Sequence, residues 1–148
     1  MQTDLDKVQE WIATYPGHDI LNQFEVDFTD KIPGTGGIFP NGTVEIARTT
    51  DIMGNTHVTN QYNFGLFYRF MKSPGDPAGA EVNADWVWDF QKCVQDQSCM
   101  GLAPTFGDNP QTEKITAQNG TMIDASDEGW AMYMIQLTVQ FEKHYEVI

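Results

Sequence analysis

The sequence is poor in cations, in cysteine and in long apolar runs. Of 148 residues only 8 are Lys or Arg, against 21 Asp or Glu, for a formal net charge of −13. Non-specific hold on nucleic acid comes from clustered Lys and Arg that release counterions, so the balance excludes binding of DNA or RNA by bulk charge. An anionic membrane surface repels such a chain for the same reason. No stretch approaches the ~20 apolar residues of a membrane-spanning helix. The start, Met1-Gln2-Thr3-Asp4-Leu5-Asp6, is polar and acidic, without the basic segment and apolar run of an export signal. The 2 cysteines, Cys93 and Cys99, are therefore expected as free thiols. On the same ground the Asn-Gly-Thr triplets at Asn41 and Asn119 read as turns rather than glycosylation sites. The 3 histidines, His18, His57 and His144, share no His-x-x-x-His spacing, and Cys93 and Cys99 match no zinc-ribbon spacing. No metal and no cofactor is expected.

What is present is enough to close a core: 41% hydrophobic and 12% aromatic residues. The length fits one domain over residues 1–148. Leu5, Val8, Trp11, Ile12 and Tyr15 recur at helical spacing, which predicts a helix over 4–15, started by Thr3 or Asp4 and stopped at Pro16-Gly17. Phe24, Val26 and Phe28 alternate as a strand. The Pro33–Gly37 run reads as a flexible break, and Asn41-Gly42 as a turn before a strand over 44–52. After a turn at Gly54-Asn55, residues 62–70 alternate strongly, with Tyr62, Phe64, Leu66, Tyr68 and Phe70 on one face. Ser73–Ala80 reads as a loop and 83–97 as a second helix. Strands are expected over 113–118 and 121–125, joined by a tight Asn119-Gly120 hairpin, and a last strand over 131–142. This order, α-β-β-β-α-β-β-β, predicts an α+β fold: a mostly antiparallel sheet with two helices packed on its apolar face.

The search for chemistry returns little. Gly34-Thr35-Gly36-Gly37 lacks the Lys-Ser/Thr and the following helix of a phosphate loop. Asp124, Asp127 and Glu128 lack the spacing of a calcium loop. Ser73, Ser98 and Ser126 lack a nucleophile elbow. The chain is accordingly not expected to be an enzyme. What stands out is a set of apolar residues that a one-faced core leaves over: Trp88, on the polar side of its helix, together with Ile38, Phe39, Phe67, Met132 and Met134. Aromatic residues and Met are enriched at protein interfaces, and these residues are the candidate subunit interface.

Four segments carry a family resemblance: Tyr62-Asn63-Phe64-Gly65-Leu66-Phe67-Tyr68-Arg69; the amphipathic helix from Trp86 to Gln97; Gly101–Asp108 followed by Glu113-Lys114-Ile115; and Asn119-Gly120 with the strand Tyr133–Leu137. Over roughly 56–145 the chain resembles the small minor capsid proteins encoded in the tail-assembly region of phages and prophages of Gram-positive bacteria, a group similar to tail terminators of long-tailed phages. The resemblance implies an α+β subunit of a hexameric ring that caps the finished tail tube. It implies as partners further copies of the chain, the tube protein and the head–tail connector protein. It places the protein at the head-proximal end of the virion tail, and in the host cytoplasm during assembly. No binding to specific nucleic acid and none to membrane is expected. The competing reading is a small-ligand-binding or enzymatic domain acting as a monomer, with a pocket lined by Tyr62, Tyr68, Trp86 or Trp130.

Overall fold

Long antiparallel strands dominate the molecule. The computed structural model describes residues 3–17, 23–26, 35–71, 77–125 and 129–147. Helix α1 spans Asp4–Ala13 and α2 spans Pro77–Cys99. The strands are β1 (Gln23–Val26), β2 (Thr35–Thr50), β3 (Thr56–Met71), β4 (Lys114–Ala125) and β5 (Trp130–Tyr145), with a 3-10 turn over Pro110–Thr112. They form one five-stranded sheet in the order β1-β2-β3-β5-β4. Strands β2 to β5 pair antiparallel, and the short β1 lies parallel to β2 at the edge. The fold is α+β, a mostly antiparallel sheet with two helices.

Alternation sets the two faces. Leu66, Tyr68 and Phe70 of β3 stand on the same face as Ile135, Tyr133 and Ala131, their register partners on β5. These residues join Val8 and Ile12 of α1 and Val87, Phe90 and Val94 of α2 in one buried cluster. Burying a side chain of this size stabilises by about 1.5–3 kcal/mol, so this layer carries most of the folding energy. The start of α1 is a capping box, in which Thr3 Oγ1 accepts from the Asp6 N–H and Asp6 Oδ2 accepts from the Thr3 N–H, each at 3.1 Å.

Several sequence expectations are corrected. The Gly36-Gly37 segment is no break but part of β2, paired on both sides. Gly36 lies opposite Tyr68 and Gly37 opposite Phe67, so large rings stand across from the missing side chains. Asn41-Gly42 is not a turn but a bulge in β2, between Pro40 and Thr43, with Gly42 at φ 89°. Asn119-Gly120 likewise makes no hairpin: β4 runs through it, with a register shift between Gln118 and Thr121 and Asn119 at φ 57°. The positive φ that suits a primed turn also suits a bulge, and β5 offers β4 an unbroken partner. Hence the described residues form five strands rather than the expected six. Helix α2 starts at Pro77, inside the expected Ser73–Ala80 loop, because proline is tolerated in a first helical turn. The expected turn at Gly54 is present, with Asp51 Oδ1 accepting from the Met53 and Asn55 N–H groups at 2.9 and 3.0 Å. The expectations for Phe28, Pro33-Gly34, Ser73 to Asp76 and Ser126 to Glu128 lie outside the described residues, as does His18.

Candidate subunit interface

The helix layer presents the first apolar surface. Val87, Phe90 and Val94 are buried, whereas Trp88 is 64% exposed. The helical wheel therefore places Trp88 correctly on the outside. It lines an open hollow of about 1050 Å³ with Tyr15, Trp86, Asp85 and Asp89. Trp86 is fixed by donating its Nε1–H to the Gly17 carbonyl at 3.1 Å. The Tyr15 hydroxyl is pushed up to about 12, by burial first and then by the charges of Asp89 and Cys93. Burial also raises the Cys93 thiol, with Asp96 and Asp89 adding to the rise and a hydrogen bond from Gln97 opposing it. Cys93 and Cys99 are both free thiols, and a raised thiol holds little of the reactive thiolate.

The second surface is the sheet face turned away from the cluster. Phe67 and Met134 are register partners on it, as are Arg69 and Met132. Phe39 and Phe67 meet edge to face at 5.0 Å, and Phe39, Phe67, Met132 and Met134 are all half-buried. Among the described residues, neither helix contributes buried side chains to this face; theirs belong to the opposite cluster. Arg69 is only 6% exposed. Its guanidinium lies over the Trp130 ring at 4.1 Å, and its Nε and Nη1 atoms are buried without a hydrogen-bond partner. Among the described residues no carboxylate pairs with it; an unpaired buried cation is costly, and the cation–π contact with Trp130 offsets part of that cost.

Of the six residues expected at an interface, the structure brings Phe39, Phe67, Met132 and Met134 onto one face and leaves Trp88 on the other side. Ile38 is withdrawn from the set. It is 0% exposed and belongs to the core, because the β2 register puts it opposite Leu66 on the helix-covered face. Arg69 and Trp130 were missed as a pair. Strand parity puts Arg69 on the second face, but nothing local marks it as buried or stacked.

Of the residues named for a ligand pocket, Tyr68 and Trp86 meet, Tyr62 lies in the same layer, and Trp130 is apart from them. Tyr68 is fully buried, with Trp86 and Phe70 rings at 4.9 and 6.1 Å. Tyr62 lies at the end of the same layer, beside Phe141 at 4.8 Å, and Trp130 lies on the opposite face against Arg69. Tyr68 and Tyr62 fill space in the core layer, whereas Trp86 also borders the open hollow beside Trp88. No protein-family model matches the chain, and no curated protein matches it.

Proposed function

We propose that the chain is a structural virion subunit of a phage tail: a terminator that closes the finished tube as a ring and presents the surface that the head connector joins. One observation supports this above others. The subunit carries two unlike apolar patches, the exposed Trp88 on the helix layer and the half-buried Phe39-Phe67-Met132-Met134 on the sheet face away from the core cluster. Two different patches on one subunit are what head-to-tail association needs, and such contacts close into rings or run on as filaments. The filled aromatic core between sheet and helices fits a scaffold better than a ligand chamber. The resemblance described above supplies the assembly in which such a ring works. Its partners under this reading are further copies of the chain, the tube protein and the connector protein, and its place is the head-proximal end of the tail.

The test is electron microscopy of lysates from a phage lacking this gene. Overlong, headless tails are expected. Tails of normal length beside unattached filled heads would move the protein to a joining role, and normal infectious particles would end the structural reading.

A further inference from the structure

His57 and His144 are 87 residues apart in sequence, yet they are register partners on β3 and β5. Nδ1 of His144 lies 3.1 Å from Nε2 of His57, and the ring centroids are 4.3 Å apart. We propose that this pair is a binding site for a divalent transition-metal ion of the Zn²⁺, Ni²⁺ or Cu²⁺ type.

The distance between the nitrogens is the first argument. Imidazole nitrogens bind such ions at about 2.0–2.1 Å. Two nitrogens 3.1 Å apart then subtend about 98° at the metal, between the cis angle of square-planar or octahedral sites and the tetrahedral angle. The second argument is the far side of His144. Its Nε2 lies 3.6 Å from Oε1 of Glu146. At that distance the carboxylate makes no hydrogen bond, but its negative charge favours the tautomer that carries the proton on Nε2 and leaves Nδ1 free for the metal. The third is rigidity. The His144 N–H donates to Asp108 Oδ2 at 2.8 Å, and the Val147 N–H donates to Asn55 Oδ1 at 3.1 Å. Both ligands thus sit on paired strands whose end is pinned from two sides.

In the free protein one of the facing nitrogens carries the proton of an N–H···N bond. On binding, that proton moves to the other nitrogen of its ring, which for His144 is the one beside Glu146, and the metal takes the two lone pairs. His57 is exposed and His144 half-buried, so the ion enters from solvent and keeps water in its remaining positions. Among the described residues no group of three or more His, Cys, Asp or Glu converges, so the protein supplies two ligands and the affinity is that of a two-point chelate. Calcium and magnesium prefer oxygen donors and are excluded.

The test is calorimetric titration of the whole chain with Ni²⁺ and Zn²⁺, with Ca²⁺ as control. One saturable site is expected for Ni²⁺ and Zn²⁺, and none for Ca²⁺. His57→Ala and His144→Ala should each weaken it at least about tenfold, and Glu146→Gln less than either. Broadening of backbone amide signals by Cu²⁺ in the unaltered protein, centred on residues 57 and 144, checks the site without any substitution. No saturable binding at millimolar Ni²⁺, binding unchanged in both histidine variants, or broadening centred elsewhere would each overturn the proposal.

Discussion

Tyr62 shows how one side chain ties α1 to the sheet. Its hydroxyl donates to Asp4 Oδ2 at 2.5 Å, and burial, followed by this bond and the Asp4 charge, pushes its ionisation up to about 12 from the ordinary 10. The unfolded chain therefore loses the proton at a lower pH than the folded one. The stabilisation is complete below pH 10 and is lost as pH rises towards 12. Urea midpoints measured on either side of pH 10 should fall with rising pH, and less steeply in Tyr62→Phe, while Tyr15 keeps part of the slope. Gly107 gives a steric case. A Cβ there would overlap the Glu142 backbone carbonyl. That carbonyl cannot step aside, because it accepts from the Asp108 N–H at 2.9 Å and belongs to β5. Gly107→Ala should cost about 1–3 kcal/mol, the range for forced overpacking, measured by chemical denaturation.

Among the elements, β4 illustrates how an edge strand is protected. Helix α2 lies against it and satisfies its outward backbone groups: Ser98 Oγ accepts from the Ile115 N–H at 3.0 Å, and Gln91 Nε2 donates to the Ala117 carbonyl at 3.1 Å. The bulge at Asn119-Gly120 lets the strand keep this contact, since a Cβ on Gly120 would overlap Val87 and Gln91 of α2. Asn119 takes the left-handed conformation that most residues enter at a cost. Asn119→Ala should therefore be less stable than Asn119→Gly by about 1 kcal/mol. Both variants lose the exposed bond from Asn119 to Gln136, so the difference in their denaturation midpoints isolates the backbone term.

For the molecule as a whole, the proposed ring would draw on residues other than those that fold the subunit. Trp88 is 64% exposed and Phe90, two positions on, is 1% exposed. Phe90→Ala should cost about 3–5 kcal/mol, as large buried aromatics do. Trp88→Ala should change stability by no more than about 0.5 kcal/mol and yet, under the proposed function, abolish ring formation. Melting temperature and sedimentation velocity on the same samples separate the two effects. A large stability loss with assembly unchanged would place Trp88 in the core.

Local periodicity made both helices and two of the three long strands, β3 and β5, legible, because amphipathic alternation is written residue by residue and needs no partner. The wheel of α2 also showed Trp88 on the wrong side for a core. Pairing was not legible. Ile38 looked spare until its register put it opposite Leu66. The two Asn-Gly steps carried the positive-φ chemistry common to turns and bulges, and only the neighbouring strand chose between them. Arg69 over Trp130 and His57 against His144 are juxtapositions across or between strands. Residue spacing holds no trace of them, because register and packing are cooperative properties of the whole sheet.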